Sequence, residues 1–410
     1  MPNVIQSSDF LKGINVHCPE ARDFVDELIA FLHETPVEWL RIHPLPSRRL
    51  RAKNKAGISY LEAIRRYAEA GFNLVLPIDV GVKENVGVVT GAYLRHFVDD
   101  SYTQSFKAVK QIETVVSRYG RRIIYGIENE IDTKEWILQS APLVAWRETP
   151  MAWFRLSTNR SLKWKRLRYI YEGIKDAAPD SCTMLNFEAD DPIDNWTTAM
   201  SLLHASQKIL TSLGIVDRHF RRSLNNYKLD ISEAMRELPD VDLIGLDNYP
   251  NYFEKNPPKG EDIGRKVNEV AHSTRKPVLN IEFGYTGLEP YWKTHTLLGK
   301  KKKAEFNPDE NQRIFFEKAL SSIENSVSQG TFPWVLFLNP TRNYRPAEEN
   351  GFSLIKTVGF HRELAYSPAL RHYVSWLERI SQQERSPERE FAYSTALSNQ
   401  RYDEKDSSLT

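Results

Sequence analysis

Short apolar runs alternate with longer amphipathic runs along most of the chain. Eight apolar runs predict strands: GINVH (13–17), EWLRIHP (38–44), FNLVLPID (72–79), IIYGIENEID (123–132), CTMLNFEAD (182–190), VDLIGLDNYP (241–250), KPVLNIEFG (276–284) and FPWVLFLNP (332–340). Each is followed by residues with apolar positions at helical spacing, as in ARDFVDELIAFLHET and SYLEAIRRYAEAG. Eight strand-then-helix units predict a (β/α)8 barrel of the α/β class.

An open, doubly wound sheet is the alternative for such a repeat. That fold usually carries a Gly-rich phosphate loop after its first strand, whereas here the first strand continues into HCPEARD. We therefore favour the barrel, as one catalytic domain over residues 1–380 with long loops after strands four, five and seven. Residues 381–410 are polar and are predicted to form a mobile tail.

The composition and net charge of the chain limit the kinds of molecule that it is expected to bind. The 410 residues are 41% hydrophobic with a formal net charge of +1, which argues against nucleic acid or an anionic membrane as the main partner. No apolar run is long enough to span a bilayer, and the N-terminus lacks a secretory leader, so we expect a cytoplasmic protein unless a leader has been removed. Cys18 and Cys182 are predicted at opposite ends of the strands and therefore as buried free thiols.

Polar side chains collect at the carboxyl end of every predicted strand, where barrel active sites are built. In chain order they are His17, Arg41, His43, Asp79, Asn129, Glu130, Asn186, Glu188, Asp247, Asn248, Tyr249, Glu282 and Asn339. The opposite strand ends are apolar, and core packing alone would not produce that asymmetry. The pattern indicates a binding site for a hydroxyl-rich ligand.

Three functions fit this ring of polar residues. Two carboxylates can cleave a glycosidic bond, one as proton donor and one as nucleophile. A metal-dependent hydrolase or isomerase would instead use His17, His43, Asp79 and Asp247, but the first strand has no His-x-His and Arg41 lies beside His43 on one strand face. A barrel that binds carbohydrate without turnover is the third. We favour the first, with no metal or organic cofactor.

Several motifs together resemble clan A of the retaining glycoside hydrolases, which are (β/α)8 barrels, and within it the family 5-like cellulases, mannanases and glycosidases. The matching features are Asn129-Glu130 ending strand four, Glu282 alone ending strand seven, Arg41 on strand two and GLDNYP on strand six. The stretch ENGFSLIKTVGFHRELAYSPALRHY is similar to the closing strand, turn and last helix of that clan. The resemblance covers about Gly13 to Ile380.

The resemblance implies a retaining β-glycosidase or glycanase that degrades an oligosaccharide or polysaccharide. It assigns Glu130 as the general acid/base and Glu282 as the nucleophile, which Arg41 would keep ionised. Asn129 would bond the 2-hydroxyl of the sugar, and Tyr249 the nucleophile or the ring oxygen. The remaining residues expected to contact substrate are His43, Glu188, Asp247, Trp292 and Asn339.

Two features do not fit a regular version of this site. Strand alternation places Glu128 and Glu130 on one face and Asn129 on the other, so the end of strand four must bend or bulge. Glu128 would then be structural, paired with Arg41 or His43. Members of the clan often place a sugar-stacking tryptophan at the carboxyl end of strand eight. In this sequence Trp334 is predicted at the start of that strand instead. Either a loop aromatic such as Trp292 or Trp146 replaces the stacking tryptophan, or the stacking surface is absent.

Overall fold

The structure is a computed structural model of the chain. The structure describes residues 10–17, 22–43, 47–53, 57–80, 91–129, 131, 160–189, 227–248, 260–285, 308–336, 354–358 and 363–384. Most of each segment predicted as a long loop after strands four, five and seven lies outside these residues, as does the predicted tail (381–410) apart from residues 381–384, which are helical rather than part of a tail.

Eight parallel strands form a closed barrel in chain order. They are β1 (Leu11–His17), β2 (Trp39–His43), β3 (Asn73–Ile78), β4 (Ile123–Ile127), β5 (Cys182–Glu188), β6 (Leu243–Asn248), β7 (Val278–Phe283) and β8 (Gly330–Pro333). The last strand pairs with the first through Leu11 opposite Gly330 and Lys12 opposite Thr331, which closes the ring. This confirms the predicted (β/α)8 barrel.

Eight α-helices accompany the strands among the described residues. They are α1 (Arg22–His33), α2 (Tyr60–Glu69), α3 (Gly91–Val116), α4 (Arg160–Ala177), α5 (Tyr227–Glu237), α6 (Asp262–Thr274), α7 (Pro308–Glu324) and α8 (Pro368–Glu384). Helix α8 extends four residues past residue 380, the predicted end of the catalytic domain. None of the described helices is long and apolar enough to cross a membrane.

A two-stranded antiparallel sheet lies outside the barrel. Its strands are β9 (Ile355–Val358) and β10 (Glu363–Tyr366), and α8 begins two residues after β10. This is the stretch that the sequence marked as a strand, a turn and a closing helix. The helix begins where Ser367 caps it: its hydroxyl accepts a hydrogen bond from the backbone N–H of Leu370 at 3.1 Å.

The barrel interior is apolar over most of its length. Its buried cluster consists of Leu11, Trp39, Val75, Ile124, Cys182, Met184, Leu243, Leu279, Ile281 and Phe332. Gly13 leaves room for the Phe332 ring, since a Cβ there would lie 2.1 Å from it. Burial raises the pKa of the Cys182 thiol to about 12, as expected for a buried free cysteine, while Cys18 lies outside the described residues.

Strand eight differs from the sequence prediction in its position along the chain. The strand covers Gly330–Pro333 rather than residues 332–340, so Trp334 follows its last residue. The prediction that Trp334 begins the strand is therefore wrong. The strand begins two residues before the predicted Phe332, at the barrel seam, where a Cβ on Gly330 would lie 2.6 Å from the Leu11 Cβ. Only glycine fits at this position.

Candidate active site

Arg41 is the centre of a polar network at the carboxyl end of the barrel. Its side chain is fully buried on β2 and donates a hydrogen bond to the Asn15 Oδ1 at 2.7 Å. The same guanidinium forms an ion pair with the carboxylate of Glu282 and donates to the Oδ1 of Asn129. The structure thus brings together three of the residues that the sequence had proposed for the site.

Glu282 faces Arg41 because β7 is irregular. Leu279 and Ile281 belong to the interior cluster, so strict alternation would turn Glu282 away from the barrel interior. The pairing of β6 with β7 shifts at this point: Leu246 lies opposite Asn280, whereas Asp247 lies opposite Glu282. The extra residue on β7 is a bulge, and such bulges redirect a side chain at a functional strand end.

The end of β4 is irregular in a different way. Glu128 has a φ of 62°, the left-handed region, which costs a residue with a side chain about 1 to 3 kcal/mol. Beyond this residue Asn129 reaches Arg41, while Glu128 forms a buried bidentate ion pair with Arg166 of α4. The predicted bend is therefore present. The sequence suggested Arg41 or His43 as the partner of Glu128, and the structure shows an ion pair of Glu128 with Arg166.

Asn186 and Asp247 extend the network around the barrel. The Asn186 amide nitrogen donates to the Asn129 Oδ1 at 2.9 Å and to the Asp247 Oδ2 at 2.9 Å. The Asn129 oxygen thus accepts from both Arg41 and Asn186, and its amide nitrogen has no acceptor among the described residues. Glu188, the last residue of β5, lies opposite Asp247 in the strand register and is partly exposed.

Asn15 is a site residue that the sequence analysis missed. Its amide nitrogen donates to the carbonyl oxygens of Ile281 at 2.9 Å, Phe332 at 2.8 Å and Pro333 at 3.3 Å, while its oxygen accepts from Arg41. One side chain on β1 therefore links β2, β7 and β8. The available signal was a polar residue two positions before His17, on the same face of the strand.

Four of the proposed site residues lie outside the described part of the chain: Glu130, Tyr249, Trp292 and Asn339. Both neighbours of Glu130 are described, however. Asn129 contacts Arg41, and the Ile131 backbone N–H donates to the Asn186 carbonyl oxygen at 3.1 Å. The chain on either side of Glu130 is therefore attached to the polar network.

The candidate ligands of the metal-dependent alternative lie at or just beyond the ends of four different strands. His17 and His43 are the last residues of β1 and β2 and lie opposite each other in the register. Asp79 follows β3, and its carbonyl oxygen accepts from the Ser47 backbone N–H at 2.9 Å. Within the described ranges, no group of three or more His, Cys, Asp or Glu side chains is arranged to hold a metal ion.

Trp334 lies at the same end of the barrel as this network. It follows β8 directly, is 7% exposed, and its backbone N–H donates to the Phe283 carbonyl oxygen at 2.8 Å. Phe283 in turn follows Glu282, so the two strand ends that carry Glu282 and Trp334 are bonded side by side. A tryptophan therefore is present at the carboxyl end of strand eight.

Solved glycoside hydrolases have the same fold. A β-glycosidase superposes with a TM-score of 0.56 at 11% identity, over 92% of this chain and 97% of that one. The GH53 catalytic domain from Ignisphaera aggregans gives 0.50 at 14%, over 91% and 98%. The Ruminococcus gnavus β-glucuronidase gives 0.54 at 11%, over 92% of this chain, which spans 52% of that enzyme. No family model and no curated protein sequence matches the chain.

Proposed function

We propose that the protein is a glycoside hydrolase that cleaves β-glycosidic bonds with retention of configuration. The observation that carries this proposal is the buried contact of Arg41 with Glu282, with Asn129 on the same guanidinium, at the carboxyl end of a closed barrel. That arrangement presents one oriented carboxylate and one amide donor where barrel enzymes bind their substrates.

Glu282 is the nucleophile in this proposal. Its carboxylate attacks the anomeric carbon, the bond to the leaving oxygen breaks, and a covalent glycosyl ester forms. Arg41 compensates the negative charge of Glu282 in a site where an unpaired carboxylate would be costly. Arg41 also fixes the direction of the carboxylate, because the guanidinium is held in turn by Asn15.

Glu130 is the general acid/base. It follows Asn129, and β4 and β7 are three strands apart in the barrel order, so side chains from the two strand ends can approach one sugar carbon from different sides. A retaining mechanism requires the two carboxyl groups to be about 5 to 5.5 Å apart. Glu130 gives its proton to the leaving oxygen and then takes one from the water that hydrolyses the glycosyl ester.

The other polar residues bind the sugar. In this proposal the Asn129 amide nitrogen donates to the 2-hydroxyl, and the Asp247 and Glu188 carboxylates accept from further hydroxyls. His43, Tyr249, Trp292 and Asn339 complete the set that the clan resemblance implies. We add Trp334 as the candidate for the stacking surface, since it directly follows β8 and no loop aromatic is then required.

A panel of aryl β-glycosides tests this function. The panel includes glucosides, galactosides and glucuronides and is assayed with wild type, Glu130→Ala, Glu282→Ala and the surface control Glu317→Ala, whose side chain is 55% exposed. We expect turnover by wild type and the control, and loss of about a thousandfold or more for Glu282→Ala. Azide should rescue Glu282→Ala and give a product of inverted configuration.

The same panel separates the competing functions. Wild-type rates in both glutamate variants would contradict the two-glutamate mechanism. Loss of wild-type activity with a chelator, restored by a divalent ion, would favour the metal-dependent hydrolase instead. Sugar binding without turnover of any glycoside would favour a barrel that only binds carbohydrate.

A further inference from the structure

The end of β4 presents the opposite faces from those that a regular strand would present. Ile124 belongs to the interior cluster, and Gly126 is two residues further, so alternation would direct Glu128 into the barrel and Asn129 away from it. The left-handed φ of Glu128 reverses both side chains. Asn129 then reaches Arg41, and Glu128 reaches Arg166 on the far side of the strand.

Arg166 is placed to hold this reversed geometry. Its guanidinium donates to both carboxylate oxygens of Glu128 and, at 3.0 Å, to the backbone carbonyl oxygen of Val80 just beyond β3. Both side chains of the ion pair are 3% exposed. A planar, bidentate pair of this kind fixes direction as well as distance, so one residue of α4 sets the ends of two adjacent strands.

Without Arg166 the buried carboxylate of Glu128 would need another cation. An inward-facing Glu128 would approach Arg41, because the next residue along the chain already contacts Arg41. Glu128 would then compete with Glu282 for that guanidinium, and Asn129 would turn out of the site. Because of the reversal at Glu128, the carboxylate that faces Arg41 from the barrel interior is that of Glu282 rather than that of Glu128.

We infer that Arg166 is a positioning residue for the active site: it holds Glu128 in the left-handed conformation and thereby directs Asn129, the residue before the proposed general acid in the sequence, toward Arg41. This inference rests on the proposed function. Arg166 touches no substrate in this account and acts only through the backbone of β4.

Four variants and one control test the inference. Arg166→Met removes the guanidinium, and Arg166→Lys keeps a charge without the bidentate geometry. Glu128→Asn keeps a residue that adopts the left-handed conformation readily and removes the carboxylate, alone or together with Arg166→Met. The control is Arg168→Met on the same helix, which removes an exposed pair with Glu237. Each variant is checked for folding by circular dichroism.

The decisive kinetic readout is the dependence of kcat/KM on the leaving group. A misplaced general acid harms glycosides with poor leaving groups, which need a proton, and spares those with good ones such as dinitrophenolate. We expect Arg166→Met to lose about tenfold to a hundredfold more on poor than on good leaving groups. Arg166→Lys should show a smaller form of this difference, and Glu128→Asn with Arg166→Met should restore most of the loss.

An equal loss on all leaving groups, or no rescue by the double variant, would overturn the inference, since either result indicates a general effect on folding. A structural readout applies even if wild type hydrolyses no glycoside, which would contradict the proposed function alone. Crystal structures of wild type and Arg166→Met should show Asn129 withdrawn from Arg41 in the variant. If residue 128 of the Arg166→Met variant kept its left-handed conformation and Asn129 still contacted Arg41, the inference would be overturned.

Discussion

Two buried arginine–glutamate pairs lie at the carboxyl end of the barrel, one on each side of its wall. The inner pair, Arg41 with Glu282, has side-chain exposures of 0% and 4%; the outer pair, Arg166 with Glu128, has 3% and 3%. By burial and charge they are nearly the same. They differ in their neighbours, since Arg41 also binds Asn15 and Asn129, whereas Arg166 also binds the Val80 backbone.

That difference favours different roles for the two ion pairs. A buried pair contributes little net stability, because desolvation offsets much of the attraction between the charges. Each pair therefore requires another explanation. We assign the inner pair to chemistry, since its carboxylate is joined to a network of amide side chains, and the outer pair to geometry, since it anchors a left-handed residue.

The largest expected effect is on stability, at the outer pair. Arg166→Met leaves the Glu128 carboxylate buried without this partner, which should lower the free energy of unfolding by about 3 to 5 kcal/mol. Glu128→Asn combined with Arg166→Met should recover most of that loss, because the buried carboxylate is then removed together with the guanidinium. Urea denaturation measures both. Equal losses in the single and double variants would show that packing of Arg166, rather than its charge, stabilises α4 on the barrel.

The next effect is on catalysis, at the inner pair. Arg41→Met removes the cation beside Glu282 and the donor to Asn129, so kcat/KM should fall by about a hundredfold or more on every leaving group. This uniform loss of kcat/KM distinguishes Arg41→Met from Arg166→Met, for which the loss should depend on the leaving group. Arg48→Met, which removes a half-exposed pair with Asp100, serves as the control. Wild-type kinetics in Arg41→Met would contradict the catalytic role that we assign to the inner pair.

Asn15 links the inner pair to the barrel wall, and its loss should have a moderate effect. Asn15→Ala removes the donor to three buried carbonyl oxygens and one acceptor of Arg41, which should cost about 1 to 3 kcal/mol of unfolding free energy. Activity should fall by about tenfold through misplacement of Arg41. Thermal denaturation and the aryl glycoside assay measure these, with Asn325→Ala on the surface as control.

A surface pair should show the smallest effect and thereby calibrate the buried ones. The Arg65 guanidinium, with help from Arg66, holds the pKa of Glu62 at about 2. A lowered carboxylate pKa stabilises the fold above the unfolded value of about 4.5 and loses that stabilisation as the pH falls toward 2. Glu62 is 35% exposed, so Glu62→Gln should cost less than about 1 kcal/mol at pH 7.

The pH dependence checks the origin of that small effect. The difference in unfolding free energy between wild type and Glu62→Gln should shrink between pH 4.5 and 2, because wild-type Glu62 then becomes neutral as well. A difference that stays constant over this range would instead indicate loss of the hydrogen bonds within α2 rather than loss of the charge.

The sequence predicted the barrel and the ring of polar strand ends because both depend on local patterns. Apolar runs of strand length define the wall, and a polar residue at the end of each run marks the site. The contact of Arg41 with Glu282 could be expected only from the clan resemblance. Strict alternation with Leu279 and Ile281 would have turned Glu282 outward, and the bulge that turns it inward depends on pairing with β6.

The remaining differences have the same origin in long-range contacts. Arg166 lies 38 residues after Glu128, and nothing local to either residue indicates that they pair. Asn15 accompanies two other polar residues, Lys12 and His17, on β1, and its three acceptors come from β7 and β8, far along the chain. Gly330, which begins β8, pairs with Leu11 of the first strand, a contact that the local sequence does not indicate.

The most direct test of the central claim is to trap the glycosyl-enzyme. Wild type is incubated with dinitrophenyl 2-deoxy-2-fluoro-β-glycosides of glucose, galactose and glucuronic acid, and the labelled protein is digested and sequenced by mass spectrometry. We expect one fluoroglycosyl group on Glu282, and a first product of retained configuration with the ordinary substrate. A label on another carboxylate, or an inverted first product, would contradict it.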